Sequence, residues 1–228
     1  MLTIGPYAFS VRDAERAIAE FDDFWSAFTD RRDADLVEHL RPHLRGDTSA
    51  DLTAVWEAYL AVGPALRAGG ALPRSTTGVV AALHASGGGV PKQARESLEV
   101  GFAGARGDAQ RNRNHHGAPY QALCLWSGEI IDALAADGHP IAPGRAGENI
   151  TLRGLDWSDV RPGVRLRVGS VLCEISCYAE PCRHLAQWFT DGRFDRIRHD
   201  KGDVSRVYAT VLEPGVVAVD DDAVLEPT

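Results

Sequence analysis

The strongest candidate for chemistry in this sequence is Cys182, in the stretch CEISCYAEPCRHLAQWF from Cys173 to Phe189. The stretch opens with the alternating pattern of a half-buried strand, and Pro181 ends that strand because it has no N–H to donate. Apolar residues then recur at helical spacing, which places Cys182 at the first turn of a short helix. The partial positive charge of a helix N-terminus, with Arg183 and His184 adjacent, favours the thiolate, the form that attacks electrophiles or binds a metal. The alternative for a free cysteine is a small buried hydrophobic residue.

A second group of polar residues lies in the glycine-rich segment 104–117, GARGDAQRNRNHHG. It carries Arg106, Arg111 and Arg113. Arginine in such a loop suits a phosphate or another oxyanion, because the guanidinium fork binds two oxygens at once. Of the two adjacent histidines, at most one can face a common site on a regular strand. The alternative interpretation is an exposed, solvated loop.

A third group lies in the segment 144–150, GRAGENI, where glycines precede Glu148 and Asn149 just before a predicted strand. An acid and an amide together can orient a ligand by accepting and donating hydrogen bonds. Glu148 can also act as a general base. A turn closed by a capping side chain is equally compatible with this spacing.

Composition and charge restrict the class of protein. The chain has 228 residues, of which 44% are hydrophobic, enough for one large domain or a domain with an appendage. The net charge of −8 does not favour a nucleic-acid or membrane-surface partner, since both select a basic face. We find no signal-peptide pattern and no apolar run of membrane-spanning length, so a cytoplasmic protein is expected.

Cysteine and lysine restrict the cofactors. Four cysteines in a chain of this length do not make a disulfide framework, and the spacing of Cys173, Cys177 and Cys182 is not that of a zinc site. Cys173 and Cys177 share the apolar face of the predicted strand, so both are expected in the core. The two lysines, Lys92 and Lys201, lie in no obvious pocket motif, so pyridoxal phosphate, which needs a lysine for its Schiff base, is not expected.

The pattern of apolar residues changes between about residues 70 and 76. Residues 1 to about 70 read as helical, with Ser10 as a cap and an apolar stripe at spacings of three and four from Ala14 to Phe28. The large aromatic residues of this part could pack on one another, on the domain that follows or on a second copy of the chain. From about residue 76, short β-type runs separated by turns predict a barrel or sandwich, with one helix from Ser127 to about Ala136. The predicted strands are 77–84, 122–126, 150–152, 165–168, 171–177, 204–212 and 216–219.

Taken together, these segments resemble a MOSC domain, the domain type named after the C-terminal part of molybdenum cofactor sulfurase. The resemblance rests on GVPK, the GARGDAQRNRNHHG segment, GRAGENITLRGL, the strand ending in EPC, and SRVYATVLEPGVVAVDD, in that order over about residues 76–226. It implies a mainly β, barrel-like fold with a cleft and short helices, preceded here by an α-helical extension. The implied division is a helical extension over 1–75 and the MOSC domain over 76–228.

The resemblance also implies a site. Related proteins handle the molybdenum cofactor or its sulfur, and some support the reduction of N-hydroxylated compounds. The key cysteine of the family corresponds to Cys182, either as a molybdenum ligand or as a sulfur carrier, and three further family motifs correspond to Gly107-Asp108, His116-Gly117 and Gly147-Glu148-Asn149. The implied catalytic residues are Cys182, His116 and Glu148, with Cys182 also the metal ligand, and the implied cofactor-binding residues are Arg106, Asp108, Arg111, Arg113, Gly117, Asn149 and Arg183.

The sequence departs from the family pattern at two places. Many relatives have Pro-Arg before the Pro-Cys pair, where this chain has Tyr178-Ala179-Glu180, and many have a second glycine after His-Gly, where this chain has Ala118. Replacing an arginine by a carboxylate makes that wall of the site less favourable to anions. The departures bear on the substrate more than on the fold.

Three functions follow as hypotheses. The first is a molybdenum-cofactor-dependent oxidoreductase that takes a small substrate and receives electrons from a separate protein, since no flavin, haem or iron–sulfur motif is present. The second is a non-catalytic carrier of sulfur or cofactor that receives its cargo from a donor protein and docks through the helical N-terminus. The third is an interaction protein whose ancestral site has decayed.

Overall fold

Short strands dominate the part of the chain that the structure describes. The structure is a computed structural model, and it describes residues 2–4, 7–9, 76–110, 116–117 and 119–226. The first two strands, β1 (Leu2–Ile4) and β2 (Tyr7–Phe9), pair antiparallel. The prediction of helix from residue 1 is therefore wrong for these residues; a Gly-Pro pair between two short apolar runs is a turn signal that the helical interpretation overlooked. The helices predicted between Ser10 and residue 70 lie outside the described residues, and the division at residue 76 stays a prediction.

Every strand predicted after residue 76 forms, with small shifts at the ends. The strands are β3 (Thr77–Ala85), β4 (Gln93–Arg95), β5 (Ser97–Gly101), β6 (Gly104–Ala105), β7 (Leu123–Ser127), β8 (Ile150–Arg153), β9 (Arg165–Val168), β10 (Val171–Tyr178), β11 (Val207–Glu213), β12 (Gly215–Ala218) and β13 (Asp222–Glu226). The sequence did not predict β4, β5, β6 or β13.

Seven of these strands close into a barrel. The order around the ring is β3, β8, β7, β11, β10, β9 and β13, and β13 pairs again with β3. Every neighbouring pair in the ring is antiparallel except β7 and β8, which run parallel. Strand β4 extends β3 outside the ring, and β12, β5 and β6 form a separate three-stranded sheet. Closure removes the unpaired edges that an open sheet would expose, and it confirms the predicted barrel.

Alternating side chains fill the barrel. On β11, Val207, Ala209 and Val211 are each at most 1% exposed, while Tyr208 between them belongs to the opposite face. Strand β10 differs from its prediction because both of its faces are buried from Val171 to Ser176. The second face is covered by a short 3-10 helix (Pro119–Gln121), where the Ser176 hydroxyl donates to the backbone carbonyl of Tyr120.

The single α-helix in the described part, α1 (Gly128–Ala136), begins as the sequence predicts. The Ser127 hydroxyl accepts a hydrogen bond from the Ile130 N–H at 3.3 Å. Trp126 and Ile131 flank this cap and are both buried, as a hydrophobic staple requires. Within the described ranges, no helix has the length and apolar character needed to cross a bilayer.

The connection between β10 and β11 carries Cys182 and is built from 3-10 turns: Arg183–Trp188, Phe194–Ile197 and His199–Lys201. It is held against the loop that follows α1. The Thr190 hydroxyl lies 2.8 Å from Nδ1 of the buried His139. The Arg145 guanidinium lies 4.9 Å from the ring centroid of Trp188. These contacts position the Cys182 segment beside the loop that leads into Asn149.

Candidate functional site

A cleft of about 300 Å³ opens on the face of β7 and β11 that points away from the barrel core. Two strand residues form part of its floor, Cys124 from β7 and Tyr208 from β11, which are partners in the register of the sheet. The walls come from four segments: one after β3, one between β6 and β7, one before β8 and one between β10 and β11. The other lining residues are Gly89, Val90, Lys92, Asp108, Ala109, Gln110, His116, Gln121, Ala146, Gly147, Asn149, Glu180, Cys182, His184, Leu185, Gln187 and Arg206.

Cys182 lines this cleft and is exposed, whereas Cys124 and Cys173 are buried and Cys177 is half-buried. Its backbone is extended (φ −116°, ψ 167°), and its carbonyl accepts from the Leu185 N–H at 2.9 Å. The helix that follows is a 3-10 helix of six residues. Its dipole is shorter than that of the helix that the sequence argument assumed. What the fold provides is access to the sulfur.

A bulge in β10 brings Cys177 beside Tyr208. The register shifts between Ile175 and Cys177, so that Cys177 lies opposite Tyr208 instead of one residue further along. The expected core position of Cys177 is therefore not observed, because the extra residue moves it out of the alternation that buries Cys173 and Ile175. Tyr208 lies between Cys177 on one side and Cys124 on the other.

The hydroxyl of Tyr208 lies 3.2 Å from Nδ1 of His116. Burial raises the pKa of the Tyr208 phenol, so this hydroxyl stays protonated at neutral pH. The contact fixes the position of the His116 ring at the edge of the cleft.

Asp108 anchors one wall through three hydrogen bonds. Its carboxylate accepts from the Ser86 N–H at 2.9 Å, from the Lys92 ammonium at 2.6 Å and from the Asn149 amide at 3.0 Å. The side chains of Lys92 and Asp108 are only 12% and 4% exposed. The carbonyl oxygen of the Asn149 amide accepts from the Cys124 N–H at 3.1 Å. Asn149 therefore ties the barrel floor to the loop wall, and its orientation is fixed before any ligand binds.

Glu148 points the other way, into the protein. It is 0% exposed and does not line the cleft. One carboxyl oxygen accepts from the Gly144 N–H at 2.5 Å and the other has no hydrogen-bond partner among the described residues. Burial raises the pKa of this carboxyl. In this arrangement Glu148 supports the loop 144–149 and does not present a base to the cleft.

Arg206 is a buried cation on the cleft wall. It is 6% exposed, and its guanidinium donates to the Ala146 carbonyl at 2.5 Å and, over a longer 3.4 Å, to the Glu180 carbonyl. These two carbonyls belong to opposite walls, so Arg206 joins the loop 144–149 to the segment that carries Cys182.

The family model of the MOSC domain matches residues 112–224. The chain contains a MOSC domain. The matched range includes Cys182, His116 and Asn149, while Asp108 and Lys92 precede it but belong to the same barrel and the same cleft.

Known proteins resemble this MOSC domain to different extents. The chain is 30% identical over 125 residues to the YiiM protein of Escherichia coli strain K12, a match that covers 51% of this chain and 54% of that protein. It thus spans about half the length of that relative. Among solved structures, the YUAD protein from Bacillus subtilis matches with a TM-score of 0.56 at 16% identity, over 68% of this chain and 98% of that chain. YiiM from Escherichia coli matches with a TM-score of 0.50 at 24% identity, over 68% and 71%. At these identities, the solved structures support the fold alone.

The MOSC domain brings some of the predicted site residues to the cleft and leaves others away from it. Cys182, His116, Asp108 and Asn149 line it; Gly117, Glu148 and Arg183 do not. Arg106 is exposed in the turn that follows β6, and its guanidinium pairs with the Glu99 carboxylate at 2.7 Å, outside the cleft. Arg111 and Arg113 lie outside the described residues.

Among the residues of this MOSC cleft that sequence reasoning missed are Lys92, Cys124, Tyr208 and Arg206. Lys92 stands in the GVPK motif, but its place opposite Asp108 depends on a contact between distant loops. Cys124 and Tyr208 alternate with core residues, and that alternation could have placed them on the outer face. Arg206 is a charged residue directly before the apolar positions of β11, and it lies within the predicted strand 204–212, which was a usable signal.

Glu180, the departure from the family pattern, has its carboxylate engaged by two basic groups. It lies 3.3 Å from Nδ1 of His199 and 3.7 Å from Nε of Arg198. Its side chain is 62% exposed, so these contacts are weak, but they direct the negative charge toward the 3-10 turns. The carboxylate of Glu180 therefore repels an anion in the cleft less strongly than the sequence predicts.

Proposed function

We propose that this chain binds the molybdenum cofactor in the cleft and uses it as an oxidoreductase on N-hydroxylated or similar small substrates. The observation that carries the proposal is the position of Cys182, an exposed thiol at the wall of a cleft in a MOSC domain. Soft thiolate ligands suit the chemistry of molybdenum and of sulfur transfer.

The donor groups of the cleft fit a metal that arrives inside an organic cofactor. In the part of the chain that the structure describes, no group of three or more His, Cys, Asp or Glu side chains could hold a metal ion alone. Cys182 offers one soft ligand, so the remaining ligands would come from the pterin. When bound, the cofactor supplies two-electron and oxygen-atom chemistry, and the protein supplies position and charge.

The residues of the cleft then have separate tasks. Cys182 would hold the metal, or carry sulfur as a persulfide. His116, fixed by Tyr208, would exchange a proton with the substrate, and Asn149, fixed by Asp108 and Cys124, would orient the bound group. Glu148 would act through the loop that it supports. Electrons would come from a separate donor protein.

The exposure of Cys182 also favours a second function, a carrier that passes sulfur or cofactor to a partner. An accessible thiol can be reached by another protein as readily as by a small substrate. In that case the N-terminal part would be the docking surface. Incubation with a cysteine desulfurase, followed by a persulfide-selective label, would mark Cys182 in a carrier and leave it unmarked in an enzyme that only ligates metal.

The test of the first function is metal and pterin analysis after expression in a host that makes the molybdenum cofactor. The wild type is compared with Cys182→Ser and with Cys177→Ser, a thiol of the preceding strand β10 that does not line the cleft. We expect near-stoichiometric molybdenum and pterin in the wild type and in Cys177→Ser, with molybdenum lost from Cys182→Ser and its fold intact. Neither molybdenum nor pterin in the wild type would remove the enzyme proposal and favour the carrier. Activity on an N-hydroxylated substrate that survives in Cys182→Ser would remove the thiol from the mechanism.

A further inference from the structure

Arg206 carries a charge that its described partners do not neutralise. Its two hydrogen-bond acceptors are backbone carbonyls, and its Nε has no partner among the described residues although it is buried. A guanidinium remains protonated at any physiological pH. Burying such a charge is costly unless an anion accompanies it. Arg206 is only 6% exposed, yet it lines the cleft.

The other charged groups of the cleft do not supply that anion. Asp108 is already paired with Lys92 at 2.6 Å. The Glu180 carboxylate interacts with His199 and Arg198, and only its backbone carbonyl meets Arg206. Glu148 is the remaining candidate, because burial raises the pKa of its carboxyl while the nearby charge of Arg206 acts to lower it. No hydrogen bond joins the two side chains within the described ranges, and Glu148 does not line the cleft.

We propose that Arg206 is an oxyanion-binding residue, whose guanidinium takes a phosphate or carboxylate group of the molecule that occupies the cleft. The fork geometry of a guanidinium matches two oxygens of one anion, and Arg206 lines the cleft. The sequence suggested Arg106 as an anion-binding residue, but Arg106 is exposed and paired with Glu99. The proposal gives this role to Arg206, which lies directly before β11 and is held in place by two backbone carbonyls.

Two sources could supply this oxyanion, the phosphate of the cofactor or an acidic group of the substrate. The choice between them rests on the proposed function, but the binding of an oxyanion by Arg206 does not. The chemistry recognised at Arg206 is the same for both sources.

The experiment is isothermal titration calorimetry of cofactor-free protein with inorganic phosphate and, separately, with acetate. The first variant is Arg206→Met, which removes the charge but also breaks the hydrogen bonds that link two walls. The second variant is therefore Arg206→Lys, which keeps the charge and loses the fork geometry of the guanidinium. Arg153→Met is the matched control, an arginine of β8 that pairs with Asp132 and does not line the cleft. Circular dichroism confirms the fold of each variant.

We expect saturable binding of phosphate or acetate to the wild type and to Arg153→Met. Loss of the two-point hydrogen bonding of the guanidinium should weaken that binding by at least about tenfold in Arg206→Lys. The additional loss of the charge should weaken it further in Arg206→Met. No saturable binding to the wild type, or equal affinity in the wild type and in a folded Arg206→Lys, would overturn the proposal. Binding that appears only in Glu148→Gln would show that Glu148 neutralises Arg206 internally, and would overturn it as well.

Repeating the phosphate titration on cofactor-loaded protein separates the two sources. Phosphate binding abolished by loading assigns Arg206 to the cofactor's phosphate. Phosphate binding that persists assigns it to an oxyanion of the substrate. A chain that never loads the cofactor would fail the proposed function, while the titrations of the cofactor-free protein would still decide the role of Arg206.

Discussion

The side-chain amide of Asn149 donates to a carboxylate oxygen of Asp108 at 3.0 Å, and this pair joins the barrel floor to the wall of the cleft. The same amide also donates to the His84 carbonyl at 3.2 Å. Because Asn149 is 2% exposed, both hydrogen bonds are shielded from water. The pair is therefore expected to contribute to the stability of the fold as well as to the shape of the cleft.

Asn149→Asp tests this pair. The substitution removes both amide donors and places a second carboxylate against Asp108, so we expect the free energy of unfolding to fall by about 3 kcal/mol. Urea unfolding followed by circular dichroism measures the change. The double variant Asn149→Asp with Asp108→Asn restores a donor and an acceptor, and should recover part of the loss. A loss below about 0.5 kcal/mol, as at an ordinary surface position, would contradict the assigned network.

The glycines of the loops allow a matched comparison. Gly144 and Gly138 both have positive φ, +80° and +86°. A Cβ on Gly144 would lie 2.6 Å from Cδ2 of His84, whereas a Cβ on Gly138 would meet nothing within 4 Å. We expect Gly138→Ala to cost about 1 kcal/mol from the backbone conformation alone.

Gly144→Ala should cost a further 1–3 kcal/mol, roughly, because it adds a steric clash in a packed region. Thermal and urea unfolding of the two variants isolate the clash, since the backbone strain is shared. Equal losses would show that His84 moves aside freely and that the loop 144–149 is not packed against it.

Glu148 makes the stability depend on pH in a defined direction. Burial raises its pKa in the folded state above the ordinary value of 4.5. Such a carboxyl stabilises the fold below pH 4.5, and that contribution is lost as the pH rises through the folded-state pKa. Glu148→Gln keeps an acceptor for the Gly144 N–H and has no such titration. The stability of the variant relative to the wild type should therefore increase with pH, as measured by urea unfolding between acidic and neutral pH.

A relative stability of Glu148→Gln that decreased with pH would have the opposite meaning. It would show that the Glu148 carboxylate stabilises the fold in its charged form, most directly by offsetting the charge of Arg206. This result would agree with the neutralisation of Arg206 by Glu148, which would also overturn the oxyanion proposal. The pH dependence of stability and the phosphate titration of Glu148→Gln are therefore independent tests of the same interaction.

The four cysteines should differ in their rate of alkylation. Cys182 is exposed and should react with iodoacetamide first. Burial raises the pKa of Cys173 to about 12, and its thiol donates to the Leu166 carbonyl at 3.3 Å, so it should react only after unfolding. Peptide mass spectrometry after timed quenching gives the order. Modification of Cys173 before Cys182 would contradict the described strand and cleft.

The fold was readable from the sequence where alternation and caps act locally. Strand β3, the Ser127 cap and the Trp126–Ile131 staple all depend on residues that are close together in the sequence. Strand β13 was missed because its apolar residues follow a run of three aspartates that reads as a loop. Its pairing with β3 and β9 is decided by partners far along the chain.

The site was less readable for the same reason. Cys182 and Asn149 stand in local motifs, whereas Arg206 bonds to carbonyls 60 and 26 residues away. Arg106 was predicted to bind an oxyanion because its loop is rich in glycine and arginine. The hairpin of β5 and β6 instead places it beside Glu99 and away from the cleft. The bulge that moves Cys177 next to Tyr208 leaves no mark on the apolar pattern of β10.

The position of β13 in the ring has a consequence for how the protein is made. The strand that closes the barrel is formed by residues 222–226, and it joins β3, whose first residue is Thr77, to β9. While a ribosome is still adding those residues, β3 and β9 each present an unpaired edge to the surrounding solution. Nearly the whole domain must therefore be synthesised before the ring can close, and in that interval the two open edges can pair with other chains as well as with their own.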